Sequence, residues 1–355
     1  MKFDVLPVDA LTAEQRALWV QFCGGDGRRV SPYYHPAFAE MVHAAGRPVQ
    51  VALLTGDDGL LRGVYPHHRE GRSVVYVGFP MCDYEGVIGP AHDEVDPRAL
   101  LRALDARHMP LRHWYPSEGA NWAPYVHRRL MSPQMDVRGG MDGYRERATK
   151  AINSELGDTR RKTRKLEKEF GSVTFKMRNV DRAWFEQLKE WKRDQYQRTG
   201  ASDVFREDWR DNVLAKLVER DDDEMRGLMS TLAVADQPIA VHLGMQVGSV
   251  LHYWFPAYDR EFHRYSPGRV LLSMMIEHAP ECGVEVVDFG KGEVDYKLRL
   301  MSMSADVAEG EVYLSAWRSW LARWRGQTVD SIRGSALYDG LRRLKRRLKH
   351  QPGRK

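Results

Sequence analysis

HYWFPAYDREFHRYSPGRVLLSMMIEHAPECGVEVVDFGKGEVDYKLRL, His252 to Leu300, is the stretch on which the fold turns. A strand ending at Ala257-Tyr258-Asp259 leads through a loop to Ser266-Pro267-Gly268. A helix is predicted from about Arg269 to Ala279, with Ser as cap and Pro in the first turn. A second strand, Val284 to Phe289, then runs into Gly290-Lys291-Gly292-Glu293. Upstream, Met229 to Ala235, Ile239 to Val247 and Val250 to Ala257 are β-prone runs, separated by Asp236-Gln237-Pro238 and by Gly248, and so predict an antiparallel meander. Helices are expected before it over Val180 to Gly200 and Asp208 to Asp221, after a long basic helix from Asp142 to Phe170 that stops at Gly171.

The first half has the same order. A helix at Ala13 to Cys23 and another after Ser31-Pro32 precede strands at Val49 to Leu54, Leu61 to Tyr65 and Ser73 to Gly78, and Pro97 to His108 has helix composition. A boundary is expected near Arg138-Gly139-Gly140, and the shared helix-then-meander order is one that a duplicated domain would give. The expected units are residues 1–140, a connecting helix over 141–171, residues 172–315, and a basic tail over 316–355.

The loop before the predicted helix reads as an anion site. Unpaired N–H groups and the positive end of the helix dipole, a Gly that lets a ligand approach, and Arg264 or Arg269 nearby would suit a pyrophosphate. Asp288 at the second strand end, with Tyr296 and Lys297 close behind, supplies a carboxylate, a proton donor and a cation. No GxxxxGK[ST] loop, GxSxG elbow or HExxH pair occurs. Cys23, Cys82 and Cys282 are too scattered for a disulfide framework or a zinc site, and His67, His68 and His278 lack ligand spacing, so no metal is expected.

The formal charge is +5, but the segment from Ala316 to Lys355 holds twelve Lys/Arg against Asp330 and Asp339, leaving the rest at −5. Such a body is not built for a DNA backbone. The N-terminus lacks the apolar core of a signal peptide and no run reaches the ~18 residues of a membrane span, so a cytoplasmic location is expected. In the tail, Leu337, Leu341, Leu344 and Leu348 form one stripe among Arg342, Arg343, Lys345, Arg346, Arg347 and Lys349. That basic amphipathic helix suits peripheral contact with an anionic inner membrane, packing on the body, or a cyclic dinucleotide regulator.

Tyr258-Asp259, Tyr265 through Leu272, and Asp288-Phe289-Gly290 through Tyr296-Lys297 resemble the signature of the CelD/BioF2-like acetyltransferases, relatives of the FemAB peptidoglycan-bridge ligases. Ser31-Pro32 with His35-Pro36, Asp83-Tyr84, Arg160-Arg161-Lys162 with Arg164, and Trp191-Lys192 with Tyr196 and Thr199-Gly200 resemble the same family in order. The resemblance spans about residues 15 to 315 and implies an α+β chain of tandem GNAT-like (acyl-CoA N-acyltransferase) domains, each a mixed, mainly antiparallel sheet flanked by helices, the second keeping the acyl-CoA site. It implies acyl transfer, acetyl-CoA being the expected donor, to an amino sugar of an exopolysaccharide or envelope-glycan precursor on a nucleotide or lipid carrier. A FemAB-like transferase using aminoacyl-tRNA, and a non-catalytic binding protein on the same scaffold, are the alternatives.

Roles follow on that basis. Tyr265, Ser266, Pro267, Gly268, Arg269, Arg264 and Val270 are expected at the CoA, and Asp83, Tyr84, Arg161, Arg164, Trp191, Tyr196 and Lys297 at the acceptor. Asp288 is the expected base with Glu293 and His242 behind it. Tyr258 or Tyr296 would protonate the thiolate, and N–H groups near Phe255 to Tyr258 would polarise the thioester.

Overall fold

Strand β10 (Val250–Tyr258) lies beside β9 (Gln237–Val247), which lies beside β8 (Arg226–Val234), the meander expected from the turns. The hairpin turn between β8 and β9 places Ala235 and Asp236 at φ 46° and 64°, the left-handed pair that a two-residue hairpin needs. This computed structural model describes residues 1–24, 31–115, 119–292, 294–315 and 317–318. Glu293 and the predicted tail helix lie outside the described residues.

Twelve strands join one sheet among the described residues, in the order β1-β2-β3-β4-β5-β12-β6-β11-β10-β9-β8-β7. The first half supplies β1 (Lys2–Pro7), β2 (Gln50–Thr55), β3 (Leu61–Glu70), β4 (Ser73–Tyr76), β5 (His108–Trp114) and β6 (Val126–Asp136). The second supplies β7 (Val173–Lys176), β8 to β10, β11 (Val286–Asp288) and β12 (Met303–Tyr313). The two halves share strands: β6 pairs with β11, while β12 returns to lie between β5 and β6. Strands β1, β5, β6, β7 and β12 were not anticipated from sequence, and the predicted Pro97 to His108 helix is only α3 (Pro97–Ala103).

The remaining helices are α1 (Ala13–Gly24), α2 (Pro36–Ala44), α4 (Gly140–Glu146), α5 (Lys150–Phe170), α6 (Arg182–Thr199), α7 (Asp208–Glu219), α8 (Pro267–His278) and α9 (Asp295–Leu300). The expected single helix from Asp142 to Phe170 is therefore two. Thr149 breaks it, in extended conformation and with its hydroxyl accepting from the Ile152 N–H as the N-cap of α5. None of the helices, among the described residues, is long and apolar enough to cross a membrane.

Alternation assigns the faces. Leu228, Leu232 and Ala240 join Val270, Leu271 and Met275 of α8 in one apolar cluster, whereas Met229, Val241 and Leu243 join Leu188 of α6 and Leu214 of α7 in another. On β10 the phase changes. Leu251 and Tyr253 belong to the α8 cluster, but Phe255 and Ala257 belong to the α6 cluster. The cause is a β-bulge between His252 and Phe255, which puts two residues opposite Gly244 alone. A Cβ on Gly244 would lie 2.3 Å from the His252 carbonyl oxygen and 2.6 Å from the His242 ring, so a side chain there would undo the bulge.

One buried acid of this framework has a measurable signature. Glu85 is 3% exposed; its Oε1 accepts the Arg112 N–H, Oε2 has no hydrogen-bond partner among the described residues, and burial pushes the carboxyl from 4.5 up to about 8. The native state thus holds a proton that the unfolded chain releases, so the Glu85 contribution is complete below about pH 4.5 and is lost as pH rises through about 8. Chemical denaturation across that window is expected to show wild-type stability falling relative to Glu85→Gln. A parallel pH dependence in both proteins would contradict it.

Candidate active site

The site lies where β10 and β11 part. They pair in parallel over three residues each, Val250 with Val286, Leu251 with Val287 and His252 with Asp288. Gly290, at φ 60°, then turns the chain away, while β10 runs on to Tyr258. Beyond His252 the β11-facing edge of β10 therefore has no strand partner among the described residues, and its N–H and C=O groups face a fork.

Asp288 is 2% exposed and points to the α6 face, because its neighbours Val287 and Phe289 fill the α8 cluster. Its carboxylate accepts from Tyr84 Oη at 2.9 Å, from Gln134 Nε2 at 3.0 Å and from the Gly290 N–H at 2.7 Å. The Tyr84 hydroxyl also bonds Ser132 Oγ. Burial and the Asp288 charge push the Tyr84 phenol well up, so it stays a donor.

Beside this anchor lies a second carboxylate with more access, Asp83, its side chain 23% exposed. Its Oδ2 is 3.3 Å from Nε2 of the fully buried His252, whose two ring nitrogens make no aligned hydrogen bond among the described residues. Burial alone would raise the Asp83 pKa, but His252, His113 and Lys297 outweigh it and hold the carboxyl below its usual range. His113, at φ 60°, is fixed through Nδ1 on the Asp83 carbonyl at 2.7 Å. Tyr33 and Trp254 pack edge-on against His252, with ring centroids 4.7 and 6.2 Å away.

Lys297 closes the fork from α9, Nζ donating to the carbonyls of Phe289 at 2.7 Å and Lys291 at 2.8 Å. Burial lowers its pKa, and Asp83 and Asp288 partly restore it. Tyr296 packs on Phe289 at 5.9 Å, and burial pushes its phenol up to about 12.

On the opposite face stands the loop before α8. Ser266 sits in the left-handed region at φ 54°, and its Oγ takes Lys162 Nζ at 2.9 Å and Arg269 Nη2 at 2.8 Å. The arginines expected to greet a pyrophosphate are already engaged: Arg269 with Glu155 and Asp158, Arg264 with Glu169. Those acids are the inner face of α5. Tyr265, Pro267 and Val270 are buried, so the groups a ligand can reach are the backbone at the helix start and Gly268. A Cβ on Gly268 would meet only Tyr258, at 3.8 Å.

Of the residues singled out from sequence, the fold brings Asp83, Tyr84, Asp288 and Lys297 together. Tyr258 is 45% exposed and stands at the α8 loop, six residues and roughly 20 Å along β10 from His252. His242 faces α8, stacked on Tyr253 at 4.2 Å, and burial drives its pKa well below 6.5, so the ring is neutral. Trp191 and Tyr196 are half-buried on α6 against the core, and Arg161 and Arg164 are exposed on α5. His252, Gln134 and Ser132 were missed, and Lys192, quoted beside Trp191, was given no role. A histidine inside the apolar run VLHYWF, and a lysine on the α6 stripe of Phe185, Leu188 and Lys192, were the available signals.

Residues 154–298 match the acetyltransferase (GNAT) domain family. No curated protein sequence matches the chain. Among solved structures the chain resembles FemX, at 13% identity and a TM-score of 0.57, over 91% of this chain and 100% of that one. It also resembles the C-terminal domain of a putative lysylphosphatidylglycerol synthetase from Agrobacterium fabrum, at 12% identity and a TM-score of 0.52, over 86% and 95% of the two chains. At such identities the likeness speaks for the fold, and the fold is of GNAT type: a mixed sheet flanked by helices, with the matched segment in its second half.

Proposed function

We propose that the protein transfers an acyl group from an acyl-CoA, acetyl-CoA first among them, to a primary amine by direct attack in a ternary complex. The observation that carries this reading is the fork. Among the described residues, one strand edge is left unpaired between a helix start on one face and a cluster of two carboxylates, His252 and Lys297 on the other. A pyrophosphate at the α8 start would lie against Gly268 and the helix dipole. A thioester threaded through the fork emerges on the α6 face, its carbonyl oxygen toward the β10 edge that has no strand partner beyond His252 among the described residues.

The acceptor amine is held by Asp83, which stays ionised; as its C–N bond forms the C–S bond breaks, the electron pair leaves with the CoA sulfur, and the amine proton passes by way of His252 to the thiolate. Asp288, saturated with donors, orients Tyr84 and Gly290 rather than moving a proton. An amino sugar on a nucleotide or lipid carrier is the acceptor class that the family resemblance favours, with CoA and glycan both handled on the cytoplasmic side. Aminoacyl-tRNA as donor is favoured by one observation, the exposed row Arg160, Arg161, Arg164 and Lys168 on α5.

Isothermal titration with acetyl-CoA tests the first step. Gly268→Asp, which sets a carboxylate in the open space at the helix start, is expected to weaken binding by roughly tenfold or more without unfolding the protein. Absence of binding to acetyl-CoA and to longer acyl-CoAs would reject the reading, and transfer abolished by ribonuclease would replace it with the tRNA-dependent one.

A further inference from the structure

Two lysines of α6 are equally buried and differently satisfied. Lys189 and Lys192 are each 7% exposed. Lys189 Nζ lies 3.0 Å from Glu186 and 3.2 Å from Asp211, an ordinary paired cation. Lys192 has no ion-pair partner among the described residues; its Nζ donates to Gln195 Oε1 at 3.2 Å and otherwise faces the rings of Tyr196 and Phe255 at 5.8 and 5.9 Å.

Its place is as informative as its lack of a partner. Phe255 is the residue at which β10 resumes after the bulge, and Lys297, which acts electrostatically on Lys192, caps the end of β11. The Lys192 amine therefore stands at the mouth of the fork, on the face where a thioester emerges. We propose that Lys192 is an internal acyl acceptor: when no external amine is bound, its Nζ attacks the thioester carbonyl carbon of acyl-CoA and the chain becomes Nε-acylated there. This inference rests on the acyl-CoA reading of the site.

In this step the C–N bond forms as the C–S bond breaks. The electron pair leaves with sulfur, and the proton lost by the amine is taken up by the CoA thiolate. No oxidant or further reactant is needed. Burial, with the Lys297 charge, pushes Lys192 from 10.5 down to about 8, and a lysine desolvated beside a second cation is an activated nucleophile. The amide product carries no charge, so the burial cost of the ammonium disappears. Because an amide is a poor acyl donor, a modified chain is withdrawn from turnover, and external amine and Lys192 compete for the same thioester.

The test is peptide mass spectrometry of the full chain after incubation with acetyl-CoA and no acceptor, with acetyl-CoA binding measured in parallel. Near pH 8 about half of Lys192 is neutral, against well under ~1% of an exposed lysine, so labelling at Lys192 is expected to exceed that at exposed lysines by roughly tenfold or more. Lys189 should remain unmodified. Lys192→Arg, checked for folding by circular dichroism, should lose this label alone. Lys297→Met should move the pH midpoint of labelling upward, a shift that a purely structural Lys192 would not show. If acetyl-CoA binds but Lys192 labels no faster than exposed lysines, the inference is overturned and the acyltransferase reading stands. If acetyl-CoA does not bind, both fall.

Discussion

Asp288→Asn should lower stability by about 2–4 kcal/mol and acyl transfer with it, because the carboxylate is a hub for donors and not a free base. Tyr84 Oη, Gln134 Nε2 and the Gly290 N–H all point at it, in a place 2% exposed. An amide in its position offers one acceptor and turns an NH2 group toward groups that can only donate or that are already bonded, so at least one buried donor loses its partner. The cost is paid in folding first. Urea denaturation and acyl transfer, measured on the same preparation, separate the two roles. A base would show a large fall in rate with unchanged stability, whereas the anchor shows both changes together. Activity lost at wild-type stability would restore Asp288 as the base expected from sequence.

The contrast between what was readable and what was not follows from range. The β8–β9–β10 meander and the Ser-Pro start of α8 are written locally, in turn residues and a helix cap a few positions apart, and they stand within a few residues of expectation. By contrast, β5 and β6 carry Pro110 and Pro133 and flank β12, whose residues pair with theirs from as far as Tyr313 to His108 along the chain. No turn announces such a pairing, and the runs are neither cleanly alternating nor uniformly apolar. Likewise Asp83 and Tyr84 stand out by resemblance, but their meeting with Asp288 depends on the shared sheet. Arg269 illustrates a partner that local sequence does not announce. As a residue type at a helix start it suits phosphate, yet the acids that engage it, Glu155 and Asp158, come from α5, over a hundred positions upstream.

Gly290→Ala is the smallest change expected to stop the chemistry while sparing CoA binding. Gly290 adopts φ 60°, where a side chain costs roughly 1–2 kcal/mol, and that strain alone is tolerable. The decisive term is space. A Cβ would stand 2.2 Å from Asp83 Oδ2 and 2.5 Å from His252 Cε1, so it drives between the carboxylate and the imidazole that the proposed proton transfer joins. Both neighbours are hemmed in: His252 by Tyr33 and Trp254, and Asp83 by His113 on its own carbonyl. The pair therefore opens by an ångström or more. Misplacement on that scale is worth ~100-fold in rate. The α8 loop lies on the far face, and its contacts involve neither residue, so acetyl-CoA affinity should change by less than about threefold. Steady-state transfer to a saturating amine, set beside acetyl-CoA titration, gives both numbers. A Gly290→Ala protein that transfers acyl groups at the wild-type rate would mean that the Asp83–His252 contact has no part in the reaction, and the proton would have to leave by another route.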